Sequence, residues 1–267
     1  MSSIRNIGAV AVAFAICVVA SNAGAQAAAS AKMAKNTRAA KPTIVLVHGA
    51  FADASSFDRL IPLLQNDGYN VVAVQNPLSS VPDDIATTKR LLAWQKGPVV
   101  LVGHSYGGVV ISGAATGNPN VKALVYLAAF APEANEPVGP LNDKYPVDLG
   151  KHLRPDAAGY LYIECDHVHE LFAADLPKSA AAVVCATQKP VHNSVFGASI
   201  SSPAWKTIPS WYLVSRQDHA INPNLERFYA KRMKATTSEI DASHVAFISH
   251  PKEVAKLIEQ AATATAK

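Results

Sequence analysis

From Thr43 onward the chain alternates between short, mostly apolar runs rich in β-branched residues and longer segments whose apolar residues recur at helical spacing. The runs Thr43–Val47, Val71–Gln75, Val99–Val102, Ala123–Leu127, Trp211–Val214 and Ser238–Ile240 are predicted strands. Ser56–Asn66, Pro82–Gln95, Tyr106–Ala115, Pro223–Ala235 and Pro251–Ala264 are predicted helices. Strands that are apolar on both faces and separated by helices pack as a parallel sheet with helices on each side, so the expected class is α/β. No internal repeat is visible.

The rhythm breaks between Phe130 and Pro209. That stretch is rich in Pro and Ala and offers short helical pieces at Asp166–Ala174 and Pro177–Thr187, but no convincing strand. It is too long for a loop inside a compact domain, so a helical insertion over about residues 131–208 is expected. The insertion follows the C-terminal end of a strand, the edge at which open α/β sheets bind ligands. This favours a lid over a cleft, with a packing appendage as the alternative.

Composition and charge narrow the picture. The chain has 267 residues, 49% hydrophobic and 16% charged, which is too apolar for a disordered scaffold. Its net charge of +4 arises entirely before Pro42, where Arg5, Lys32, Lys35, Arg38 and Lys41 meet no acidic residue; beyond it stand 19 basic and 20 acidic groups. The body therefore has no electrostatic case for binding nucleic acid. The first residues pair a cationic start with an apolar run, Ile7–Ala20, and then small residues to Ala27, the pattern of a secretory signal peptide. A signal over 1–25 is expected, with cleavage after Ala25 or Ala27, a flexible leader over 28–41, and the folded domain over 42–267. Fourteen apolar residues fall short of the roughly 20 needed to span a bilayer, which disfavours the alternative of an uncleaved anchor. The expected location is the periplasm or the medium. Export would remove Cys17 and leave Cys165 and Cys185 where disulfides persist, so a bridge is expected there, with two unconnected buried thiols as the alternative.

The chemistry concentrates where Pro98-Val99-Val100-Leu101-Val102 runs into Gly103-His104-Ser105-Tyr106-Gly107-Gly108. A bare Gly-x-Ser-x-Gly is weak evidence. Between a buried strand and a helix it becomes a nucleophile elbow, whose tight turn needs glycines beside the serine and presents its hydroxyl above the sheet. A serine hydroxyl is a poor nucleophile at neutral pH, so a base must take its proton and a third group must orient that base. In the chain order Ser, acid, His, His244 after the last strand is the expected base, ahead of His250, which opens the final helix. Asp218, after the strand Trp211–Val214, is the expected acid, ahead of Glu133 and of Asp241, which stands too near His244 in sequence. The run Val45-Leu46-Val47-His48-Gly49-Ala50-Phe51 ends a strand, and the backbone N–H groups of Ala50 and Tyr106 are the candidate oxyanion donors. Phe51 and Phe130 are expected to line the pocket, and His48 to support its loop by hydrogen bonding.

These residues resemble the α/β-hydrolase superfamily, in particular its small branch of plant methylesterases, hydroxynitrile lyases and bacterial esterases. The resemblance covers Thr43 to about Ala264 and rests on Val-His-Gly-Ala, Gly-His-Ser-Tyr-Gly-Gly, Asp218 and Ser243-His244. It implies a six-stranded parallel sheet lacking the superfamily's first two strands, and a serine triad without metal or organic cofactor. Hydroxynitrile lyases of the branch carry a lysine where this chain has Val245, and dehalogenases and epoxide hydrolases of the superfamily carry an aspartate where it has Ser105. Both chemistries are disfavoured.

The expected activity is hydrolysis of a small-molecule carboxylic ester through Ser105, His244 and Asp218. Alternatives are lactone or amide hydrolysis or perhydrolysis on the same residues, or a hydrolase-fold binding protein with a silent triad. Acyl and alcohol preference and oligomeric state are not legible. The run Cys165-Asp166-His167-Val168-His169-Glu170 mixes zinc-ligand types; alternate positions on a helix do not face each other, so a lid helix with solvated histidines, and no metal, is expected.

Overall fold

The computed structural model describes residues 41–265; the expected signal peptide, and all of the leader but Lys41, lie outside the described residues. Each predicted strand and helix of the repeating part is present, with ends shifted by a few residues. The chain begins with β1 (Thr43–Val47), α1 (Ile61–Asn66), β2 (Val71–Val74), α2 (Val81–Ala93), β3 (Val99–His104), α3 (Gly107–Ala114) and β4 (Val121–Leu127). After the insertion come β8 (Ser210–Ser215), α7 (Pro223–Met233), β9 (Thr236–Ile240), α8 (Ala246–Ser249) and α9 (Pro251–Ala264).

The six long strands form one parallel sheet in the order β2-β1-β3-β4-β8-β9. All six residues of β3, and all six of β8, are buried, which accounts for the apolar runs Val99–Val102 and Trp211–Val214 within them. Helix α9 buries Val254, Ala255, Leu257, Ile258, Ala261 and Ala262, a stripe at helical spacing that packs against α1 and the sheet. The chain winds from β1 outward to β2 and then crosses to β3 on the other side. Neighbouring connections therefore diverge beyond the C-terminal ends of β1 and β3, and this opens a crevice. Val47 pairs in register with Gly103, so the loops His48–Phe51 and His104–Tyr106 leave the sheet side by side at that crevice.

The insertion corrects one expectation. It contains α4 (Gly139–Lys144), α5 (Cys165–Leu171) and α6 (Lys178–Thr187), but also a three-stranded antiparallel sheet of β5 (Leu153–Pro155), β6 (Tyr160–Ile163) and β7 (Val191–His192). The β5–β6 hairpin turns on Asp156, whose Oδ1 accepts from the N–H groups of Ala158 (2.8 Å) and Tyr160 (2.9 Å), and on Gly159 at φ 85°. Strands of two to four residues leave too short an alternation to stand out in a sequence. Cys165 and Cys185 are paired in a disulfide with Cα atoms 5.5 Å apart, which ties α5 to α6.

Candidate active site

Ser105 follows the last residue of β3 and has φ 53°, in the left-handed region that costs a non-glycine residue energy. The turn is held by its own backbone: Ser105 N–H donates to Leu127 (3.1 Å), and its carbonyl accepts from Gly108 (2.9 Å) and Phe130 (3.1 Å). Two glycines make room for it. A Cβ on Gly107 would fall 2.5 Å from the Val47 carbonyl oxygen, and one on Gly49 would fall 2.7 Å from Ser105 Cβ. Tyr106 anchors the elbow from below, donating its hydroxyl to Asp84 Oδ2 on α2 (2.7 Å) while Asp84 Oδ1 accepts from Leu78 N–H (2.8 Å). Burial pushes the Asp84 carboxyl above the usual carboxylate range.

His244 lies in the loop after β9, and its Nδ1 is 2.5 Å from Asp218 Oδ2, both side chains being fully buried. Asp218 comes from the loop after β8 and is oriented through Oδ1, which accepts from the N–H groups of Ala220 (2.6 Å) and Ile221 (2.9 Å). The opposite ring nitrogen of His244, Nε2, has no hydrogen-bond partner among the described residues. His244 and Ser105 line one cavity of about 70 Å³. The structure therefore brings Ser105, His244 and Asp218 to one place, with no hydrogen bond yet joining Ser105 to the imidazole. Such contacts are commonly loose without substrate and tighten when it binds.

The rivals lie elsewhere. Glu133 pairs with Lys206, Asp241 is 64% exposed at its side chain and bonds Arg216, and His250 caps α9 and bonds Ser249 Oγ at 2.9 Å. His48 sits as the sequence suggested: Nδ1–H donates to the Gly49 carbonyl (2.9 Å) and Nε2 accepts from Asn76 N–H (3.1 Å).

Ala50 and Tyr106 line the same cavity as Ser105, and their N–H groups reach no backbone acceptor among the described residues. Phe51 and Phe130 line it too, joined from the insertion by Leu149, Leu153, Phe172 and Phe196. Phe51 has φ 61°, a second strained position beside the first. Its ring meets that of Phe172 edge to face at 6.4 Å. This aromatic pair separates the small cavity from an open, largely apolar groove of about 310 Å³ between the β1 loop, α6 and the residues after His244.

Several residues of the site carried no sequence assignment. His104 Nε2–H donates to the His244 carbonyl. Phe172 packs its ring 5.0 Å from that of His244. Asp175, in the α5–α6 connection, accepts from both Ser243 N–H (3.1 Å) and Ser243 Oγ. Glu226, on α7, is fully buried near Asp218. Only Glu226 left a trace in the sequence, as a carboxylate on the inward face of an amphipathic helix. The histidines of α5 are not simply solvated: His169 Nε2–H donates to the Leu176 carbonyl (3.0 Å), and His167 stacks on His152 with ring centroids 3.6 Å apart. Cys165 is taken up by its disulfide. Among the described residues, the His and acidic side chains that cluster are His152, Glu164 and His167, and Arg154 pairs with the same Glu164 at 2.8 Å.

The six-stranded parallel sheet with its flanking helices is shared with proteins already known. Residues 44–257 match the alpha/beta hydrolase family. A pyrethroid hydrolase of Sphingobium wenxiniae is 28% identical over 84% of this chain and 89% of its own. Methylesterase 8 of Arabidopsis thaliana is 24% identical over 73% of this chain and 79% of its own. The crystal structure of polyneuridine aldehyde esterase superposes with a TM-score of 0.73 at 18% identity, covering 82% of this chain and 98% of that one. The match spans the sheet, the elbow and both loops that meet it, and this chain belongs to the alpha/beta hydrolase family.

Proposed function

We propose that the protein hydrolyses carboxylic esters, with Ser105 as nucleophile, His244 as base and then acid, and Asp218 as the group that orients and charge-stabilises His244. The observation that carries this reading is the unpartnered Nε2 of His244, a residue that lines one cavity with Ser105 while its Nδ1 is locked to Asp218. That lock fixes the tautomer with its lone pair at Nε2, the form able to accept the Ser105 proton. The serine oxygen attacks the acyl carbon, and the N–H groups of Ala50 and Tyr106 stabilise the oxyanion. The imidazolium returns the proton to the leaving alcohol, and water repeats the cycle on the acyl-enzyme. The hydrolase and esterase names of the relatives support the same class.

The two spaces divide the ester. An apolar cavity of about 150 Å³ holds a benzene molecule, so the 70 Å³ beside Ser105 fits a short acyl group. The alcohol leaves on the His244 side, towards the larger groove past Phe51 and Phe172. Export belongs to the same proposal, supported by the N-terminal sequence pattern and the paired cysteines.

A fluorophosphonate probe and a two-way ester series test the reading. The wild type is expected to be labelled and Ser105→Ala not, with turnover falling by about 10⁶ in the mutant. Activity should decline with acyl length and tolerate bulky alcohols. Labelling that persists in Ser105→Ala would sink the assignment.

A further inference from the structure

Asp218 has a second carboxyl beside it that the proposed reaction does not use. Glu226 lies in the first turn of α7, eight residues after Asp218, with no exposed surface. Its Oε2 accepts from Ser215 N–H at the end of β8 (3.0 Å). Its Oε1 finds no donor among the described residues; Ser215, whose N–H bonds Glu226 Oε2, accepts from Asp218 N–H through its carbonyl (3.2 Å), so the two carboxyls are anchored on one residue and act on each other. Two neighbouring carboxylates buried in a site closed to water do not both stay ionised.

The surroundings decide which one keeps the proton. Asp218 receives two backbone N–H groups and the His244 ring N–H, three donors to one charge. Glu226 receives one. The other groups facing Glu226 are Tyr212 of β8, whose hydroxyl donates to the Ala129 carbonyl, and Arg227 of its own helix, whose guanidinium is turned to Glu239 at 2.7 Å. Tyr212 offers no counter-charge to a buried Glu226 carboxylate, and Arg227 only the weakest of the influences on it. Burial first, and then the charge of Asp218, push the Glu226 carboxyl well above its ordinary value.

We propose that Glu226 is a positioning residue: as a neutral carboxylic acid it donates its O–H to Asp218 and holds that carboxylate against His244. Asp218 then has a donor on every side, and its orientation no longer depends on the imidazole alone. The proton gives Glu226 Oε1 the partner it otherwise lacks. A second negative charge beneath the His–Asp pair is avoided. The role rests on the esterase reading above, but the protonation state does not.

Two substitutions separate the possibilities. Glu226→Gln keeps one donor for Asp218 and one acceptor for Ser215 N–H, without a titrating proton; Glu226→Leu keeps approximate bulk and removes both. With p-nitrophenyl acetate, Glu226→Gln should retain kcat within about threefold, while Glu226→Leu should lose at least thirtyfold in kcat with KM little changed. A Glu226→Leu enzyme of wild-type kcat, or a Glu226→Gln enzyme as impaired as Glu226→Leu, overturns the positioning role. A second readout needs no turnover and no leucine variant. Because the folded-state value of Glu226 is raised, its contribution to stability is complete below the ordinary carboxylate range and is lost as pH rises through the folded value. Thermal unfolding should show Glu226→Gln gaining on the wild type as pH rises from 4. A gap that stays constant with pH shows an ionised or indifferent Glu226 and overturns the proposal, whatever the ester assays give.

Discussion

His104 Nε2–H donates to the backbone carbonyl of His244 across 2.9 Å, so the residue before Ser105 holds the main chain of His244. The ring is 1% exposed and packs against Phe247 and His244, with centroids 4.7 and 4.6 Å away. Burial first, and then the neighbouring His244, keep its pKa far below the usual histidine value, so it serves as a neutral donor. Replacing it with leucine leaves the His244 carbonyl without its partner, a loss of about 1–3 kcal/mol for a buried group. His104→Leu should lower both the melting temperature and kcat, the latter by at least tenfold with KM little changed. Unaltered kcat in a folded His104→Leu enzyme would show that the base does not need this brace.

The acid is tested by exchange. On the proposed role of Asp218 in fixing the His244 tautomer, Asp218→Asn should fold normally and lose about 10⁴ in kcat. Glu133→Gln should be mild, since Glu133 meets Lys206 rather than the histidine. The reverse outcome in steady-state kinetics would move the acid to the loop after β4.

Acid sensitivity has a specific source in His48. Its Nε2 accepts from Asn76 N–H, and protonation would set two donors against each other. Burial above all pushes its pKa down to about 4. The unfolded chain, titrating near 6.5, then binds more protons between these values, so stability is lost as pH falls from 6.5 towards 4, by on the order of 3 kcal/mol. His104 acts in the same direction. In urea titrations His48→Gln should flatten the dependence in that window; an unchanged slope would remove His48 as its cause.

How much of this was visible in the sequence depended on how far apart the interacting residues stand. The strands and the elbow are local patterns: apolar runs, glycines and one serine within six residues. Ser105, Asp218 and His244 could be picked because each follows a strand at its C-terminal end. Phe172 and Asp175 could not. Asp175 reaches a partner 68 residues away, and His104 one 140 away, and no periodicity announces such a meeting. The strands β5, β6 and β7 escaped for the opposite reason, being too short to impose a period of their own.

The Cys165–Cys185 bridge ties α5 to α6, and Val183, Val184 and Thr187 of α6 line the outer groove. Closing a loop of this length contributes about 3 kcal/mol in the chain-entropy picture. The double variant Cys165→Ser/Cys185→Ser should therefore melt at a lower temperature, and should lose bulky-alcohol esters before methyl esters. Alkylation and mass spectrometry of the unreduced protein check the premise: two free thiols would remove it.

The contacts between the insertion and the His244 loop also limit how substrate can enter. Asp175 grips Ser243 and Phe172 lies against the His244 ring, and both belong to the same short connection between α5 and α6. A displacement of that connection would remove both contacts from the His244 loop in one movement. The insertion and the His244 loop therefore form one mechanical unit: whatever displaces Phe172 or Asp175 reaches His244 directly, without passing through the sheet.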